Sequence, residues 1–152
     1  ITGYRLNVVD AACGSRFYNF EKTKDGGTTW TEVNGDPFDQ NMGVAEGLLF
    51  FTNDFGFAGL TYASEDFSML YVTKDGGETF ERLELPLDTV TELPSEAEEL
   101  GFTIEDYDYH TMPQIVDGKM EIYLQTDAME QQGIIFQSED NGVTWEYAGC
   151  KE

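Results

Sequence analysis

Three stretches decide the fold: TKDGGTTW at 23–30, TKDGGETF at 73–80 and SEDNGVTW at 138–145. Slid by 50 residues and then by a further 65, they agree at five positions. A hydroxyl residue (Thr23, Thr73, Ser138) is followed two places on by aspartate (Asp25, Asp75, Asp140) and two further by glycine (Gly27, Gly77, Gly142). Threonine comes next, and an aromatic closes the pattern (Trp30, Phe80, Trp145). Self-similarity of this kind marks a repeat architecture. Each copy follows an apolar stretch (FYNFEK, SMLYV, GIIFQ) and leads into alternating residues (TWTEV, TFERLEL, TWEYAG), which is the signature of a hairpin. Asp and Ser/Thr side chains bond a turn's own amides and Gly supplies positive φ. The aromatic is expected to tuck beneath the turn and pack between neighbouring sheets. All twelve residues are therefore expected to serve folding.

Outward from the turns, the second repeat predicts strands at about 47–53, 56–62, 68–74 and 79–85. The third predicts 112–116 and 119–125 about an Asp117-Gly118 turn, then 133–138 and 143–148. The first offers only 4–11, 16–23 and 29–33, so its innermost strand is expected upstream. The opening Ile1, where a start codon would give Met, carries the same expectation of a chain cut from something longer. The organisation expected is one domain: an incomplete repeat at 1–40, a second at 41–88, an insert at 89–111 and a third at 112–152. In the insert, Ser95 with Glu98 predicts a capping box before a short helix ended by Gly101.

The pattern S/T-x-D-x-G-x-T-W/F resembles the Asp-box, or BNR repeat, of sialidases and related β-propellers. The stretch from Leu48 to Phe80 is also similar to repeats of the photosystem II assembly factor type. The resemblance implies an all-β fold of antiparallel four-stranded blades, propeller-like or partial, with each Asp-box at the periphery and away from any central ligand site. It thereby argues against these aspartates as catalysts. Propellers close with 4 to 8 blades, and this length holds about three. A longer propeller, a six-bladed ring made from two copies, and a compact stack of sheets all fit.

Composition limits the partners. Thirty Asp and Glu against eight Lys and Arg give a net charge of −22, which disfavours nucleic acid and anionic membrane. With 40% hydrophobic and 14% aromatic residues the chain can bury a core, yet it contains no apolar run long enough for a membrane span. Cys13 and Cys150 form no metal-type pair. A disulfide between them requires the ends of the fold to meet, and the alternative is two small hydrophobes at strand ends.

Candidate chemistry is sparse. A sialidase needs three arginines converging on a carboxylate, and Arg5, Arg16 and Arg82 are the only three. Arg82 falls on an outer strand, the Arg-Ile-Pro motif is missing, and no Tyr/Glu nucleophile pair is apparent. His110, the single histidine, lies in EDYDYHTM with Glu105, Asp106, Tyr107, Asp108 and Tyr109. A calcium site or acid/base cluster is one reading of that segment and a solvated acidic connector the other, and the connector fits better because no calcium-loop spacing is present. The aromatic run Phe50, Phe51, Phe55, Phe57, Tyr62 and Phe67 is expected to fill the space between sheets, with a binding face for sugar or protein as the rival.

The expectation is a non-catalytic binding or scaffold module, extracellular or at the cell surface, with a protein or carbohydrate partner and a homodimer as one assembly. No cofactor and no metal are expected. The alternatives are a fragment of a glycoside hydrolase of the sialidase superfamily and an assembly factor holding a partner protein; a hydrolase needs two carboxylates facing across a cleft.

Overall fold

The structure is a computed structural model that describes residues 1–62 and 67–152. It is all-β, with antiparallel strands in three separate sheets. The first sheet has the order β1 (Gly3–Ala12), β2 (Ser15–Thr23), β3 (Thr31–Asn34). The second runs β4 (Val44–Phe50), β5 (Gly56–Thr61), β6 (Ser68–Thr73), β7 (Glu81–Arg82). In the third, β12 (Glu146–Lys151), β11 (Gly133–Ser138) and β10 (Lys119–Gln125) are consecutive. Its fourth position is shared by β8 (Tyr109–His110), which pairs with Leu124 and Gln125, and β9 (Gln114–Val116), which pairs with Lys119 to Glu121.

The described residues form two compact units, one from 1–62 with 69–83 and the other from 67–68 with 84–152. In the first unit Phe20, Phe38, Phe57 and Leu60 have at most 1% of their surface exposed. A ring stack runs through it: Tyr4 lies 3.9 Å from Phe50, centroid to centroid, and Phe50 lies 5.6 Å from Phe20. Rings stacked in this way remove a large apolar area from water. The second unit has its own core of Ile122, Leu124, Ile134 and Phe136, all fully buried. Among the described residues no helix is long and apolar enough to cross a membrane.

Several boundaries differ from expectation, each for an identifiable reason. The strands after the repeated turns begin at Thr31, Glu81 and Glu146, one residue past the aromatic, because the turn aspartate holds the threonine amide and keeps that residue out of the ladder. β4 ends at Phe50, where the Thr52 hydroxyl accepts the amides of Asp54 and Phe55 and folds a turn. The strand expected at 112–116 begins only at Gln114, after Pro113, since proline has no N–H for the ladder, and a separate short strand, β8, forms at Tyr109–His110 within the expected insert. β7 is only two residues long, and the chain then leaves toward Pro86.

The helix α1 (Glu96–Leu100) and its Gly101 stop are as expected, with Gly101 at φ 72°. The capping box at Ser95 and Glu98 is not formed: the Ser95 hydroxyl makes no cap bond and donates to Glu152 at 2.7 Å. A capping box does occur one turn later, where Asp106 accepts from the amide and hydroxyl of Thr103. Asp117 and Gly118, at φ 50° and 79°, make the expected two-residue hairpin turn. Cys13 and Gly14 make another between β1 and β2, so Cys13 is an exposed turn residue and not a packed hydrophobe. Both cysteines are free thiols. Cys150 lies in β12 and donates to the Glu92 carbonyl at 3.3 Å.

Candidate functional site

The twelve repeated residues build one turn three times. In the first, the Thr23 hydroxyl donates to Asp25 Oδ1 at 2.8 Å and accepts the Gly27 amide at 2.9 Å. Asp25 then accepts the Thr29 amide at 2.9 Å and its hydroxyl at 2.6 Å. Thr73, Asp75, Gly77 and Thr79 repeat these bonds. So do Ser138, Asp140, Gly142 and Thr144. The indole N–H groups of Trp30 and Trp145 donate to the carbonyls of Gly27 and Gly142, each at 3.2 Å.

Bonds to the ionised form favour it, so the carboxylates are acidic. The Thr29 and Thr23 donors hold Asp25 at about 2, and Thr144 and Ser138 do the same for Asp140. At Asp75 burial pushes upward, and the Thr79 and Thr73 donors outweigh it, leaving the group below the ordinary range. A carboxylate so committed is a poor general acid or base at neutral pH.

The other sequence candidates are scattered. Arg5, Arg16 and Arg82 lie on β1, β2 and β7, and Arg5 is engaged by Glu21 with its guanidinium 4.2 Å from the Trp30 ring centre. The segment at 105–112 is more than a solvated connector: Tyr107 is 2% exposed and donates to Glu96, while Tyr109 and His110 form β8. The His110 Nδ1 lies 3.2 Å from the carbonyls of Ser68 and Asp108, both acceptors, so that nitrogen carries its proton. Among the described residues no group of three or more His, Cys, Asp and Glu is placed to hold a metal. The aromatic run is divided: Phe57 is buried, Phe50, Phe55, Tyr62 and Phe67 are half-buried, and Phe51 is exposed, with Phe51 and Phe55 meeting Phe57 edge-on at 6.0 and 5.3 Å.

What sequence reading missed is a groove of about 460 Å³ in the first unit, lined by Lys22, Lys24, Thr29, Thr31, Val33, Asp54, Asp75, Gly76 and Glu78. One wall is the hairpin of β2 and β3, and the other is the second repeated turn together with Asp54 from the turn between β4 and β5. The ion pairs among the described residues are Arg5–Glu21 and Lys119–Glu139, so Lys22 and Lys24 enter neither. The Lys22 ammonium instead lies 5.4 Å from the Tyr4 ring centre. The signal was available: in a chain with eight cations, two at 22 and 24 have the spacing that sends both to one side of a strand.

A second groove, of about 290 Å³, lies in the second unit and is lined by Lys119, Gln137, Glu139, Asp140, Thr144, Glu146, Tyr147 and Ala148. Adding 115 to Lys22, Lys24, Thr29, Thr31 and Val33 gives Gln137, Glu139, Thr144, Glu146 and Ala148, all lining residues of the second groove. The same face of the hairpin at the repeated turn is thus hollowed in both, but where the first presents Lys22, Lys24 and Thr31 the second presents Gln137, Glu139 and Glu146. In the second, Lys119 meets Glu139 at 2.7 Å, which holds the Glu139 carboxyl down and the Lys119 ammonium up.

Comparison with protein-family models, with curated proteins and with solved structures finds no match for this chain.

Proposed function

We propose that the chain is a non-catalytic binding or scaffold module of the Asp-box type, its sheets serving as propeller-like blades and its repeated turns as their outer hairpins. What supports the class is the agreement of three turns in both sequence and bonding. The observation that carries the binding role is the pair of grooves at equivalent hairpin faces. Repetition of a turn explains a repeated fold, and the divergent lining of an equivalent face is what recognition of different chemistries requires.

The first groove, with two ammonium groups opposite Asp54, Asp75 and Glu78, suits a polar ligand that offers both donors and acceptors: a carbohydrate or a mixed-charge peptide segment. The acidity and the resemblance to sialidase repeats support an extracellular or cell-surface setting. Calorimetric titration of neutral and uronic-acid oligosaccharides, and of mixed-charge peptides, tests the reading. A Lys22→Ala/Lys24→Ala variant is expected to weaken binding at least tenfold while a Lys119→Ala variant leaves it unchanged. Binding indifferent to the lysine pair, or turnover of a glycoside, contradicts it.

One observation favours the hydrolase alternative. Burial and the neighbouring Glu130 push the Glu96 carboxyl up, while Gln132 and Gln131 amides hold Glu130 down. Two acids with separated affinities are what such an enzyme uses. Glu96, however, accepts from the buried Tyr107 hydroxyl, and its amide donates to Gln132, so both contacts also anchor α1.

A further inference from the structure

Two of the six asparagines precede glycine, in Asn34-Gly35 and Asn141-Gly142. In such a pair the glycine amide can attack the asparagine side-chain carbonyl, because no Cβ hinders the rotation that brings them together. Folding treats the two pairs oppositely. Asn141 stands in the third repeated turn at φ 60°, and the amide of buried Gly142 donates to the Ser138 hydroxyl at 2.7 Å. Turning that amide toward Asn141 breaks a buried bond that every copy of the turn makes.

Asn34 closes β3, and Gly35 is exposed just beyond it. Among the described residues the Gly35 amide makes no hydrogen bond. The Asn34 side chain is turned over the peptide that follows it, with Oδ1 accepting the Asp36 amide at 2.8 Å. A donor placed on a carbonyl oxygen stabilises the negative charge that develops there under attack. The Glu32 carboxylate stands beside Gly35, its Oε1 3.6 Å from where a Cβ would lie, and supplies a nearby proton acceptor.

We propose that Asn34 is a site of spontaneous deamidation, and that the repeated turn protects Asn141 from the same reaction. The Gly35 nitrogen forms a bond to Asn34 Cγ, the Cγ–Nδ2 bond breaks, and the amide group leaves as ammonia with the proton that Gly35 gives up. Water then opens the cyclic imide at one carbonyl or the other, leaving aspartate or isoaspartate at position 34. Nothing is oxidised or reduced. Asn34 Nδ2 is the donor to the Glu78 carbonyl at 3.2 Å, so the product loses the tie between β3 and the second repeated turn and sets a carboxylate beside that carbonyl. Isoaspartate also lengthens the main chain at the residue that pairs with Phe20. Glu78 lines the first groove, but the reaction stands whether or not that groove binds a ligand.

Ageing the folded chain in mildly alkaline buffer, with peptide mapping by mass at intervals, reads both sites, since each conversion adds one dalton. Asn34 is expected to convert at least tenfold faster than Asn141. In urea, where the turn no longer holds Gly142, the two rates should converge. Gly35→Ala brings only an ordinary contact at 3.6 Å and no left-handed φ, so it should fold as the parent does and slow conversion at Asn34 at least tenfold. Asn34→Asp should reproduce the lowered Tm of the aged chain, and an aged chain that melts like the fresh one contradicts the loss of the tie. Equal rates at the two sites in the folded chain, a faster Asn141, or an Asn34 that converts as quickly with alanine after it overturns the inference. A rate ratio that persists in urea overturns it as well, because the difference would then lie in the neighbouring residues and not in the fold.

Discussion

The turn at 23–30 and the turn at 73–80 make the same hydrogen bonds, yet they sit in different surroundings. Gly27 is exposed, and a Cβ there would come no closer than 3.7 Å to the Trp30 ring. Gly77 is buried under the Phe20 ring, and a Cβ would lie 2.0 Å from it. The second turn is further tied down by Asn34, which donates to the Glu78 carbonyl, and by Asp54, which accepts the Gly76 amide. At the first turn the Ile1 carbonyl plays the part of Asp54 by accepting the Gly26 amide. Local bonding thus sets the shape of the turn, and burial sets how much a change in it costs.

The largest expected effect separates the two. Gly77→Ala combines an unfavourable φ of +93° with a clash against a core ring, and should cost about 3 kcal/mol or more. Gly27→Ala meets the same backbone penalty at φ +96° without the clash, and should cost about 1–2 kcal/mol. Denaturant midpoints of both variants measure the gap, and equal losses would break the comparison.

Where only local bonds matter, the turns should behave alike. Asp25→Ala and Asp75→Ala each remove the acceptor for a threonine amide and hydroxyl, so both should lower Tm by a similar amount, roughly 3–6 °C. The pH dependence follows from the same bonds. Asp25 and Asp140 have folded values near 2, below the ordinary value near 4. Their contribution is therefore present in full above that ordinary range and is lost as pH falls toward 2. Unfolding midpoints from pH 5 to 2 should fall less steeply in an Asp25→Asn/Asp140→Asn variant than in the parent. The smallest effect is expected from Trp30→Phe, which gives the first turn the phenyl ring that the second already has at Phe80. It loses the indole bond to Gly27 and should cost about 0.5–1 kcal/mol in thermal melts.

The hairpins were legible in the sequence because hydroxyl, Asp, Gly and Thr act within eight residues of one another. The all-β class followed from the apolar stretches beside them, and the turn at Asp117-Gly118 from its dipeptide. The strand starts at Thr31, Glu81 and Glu146 were displaced because a side-chain bond, which periodicity does not register, held the preceding residues in the turn. Ser95 failed as a cap for a longer-range reason, since Glu152, 57 residues away, competes for its hydroxyl. The first groove depends on residues from two repeats, Lys22 and Lys24 against Asp54 and Glu78, and only folding brings them together. Even so, the spacing of Lys22 and Lys24 among so few cations was a readable sign.

The central claim is that one hydrogen-bonded turn is built three times. Amide hydrogen exchange tests it most directly, because Thr29, Thr79 and Thr144 are exposed residues whose amides are each bonded to an aspartate at 2.8–2.9 Å. The prediction is slowed exchange at all three amides, together with Gly27, Gly77 and Gly142, and loss of protection at Thr29 alone in Asp25→Ala. Exchange at unprotected-loop rates in all three turns would contradict it.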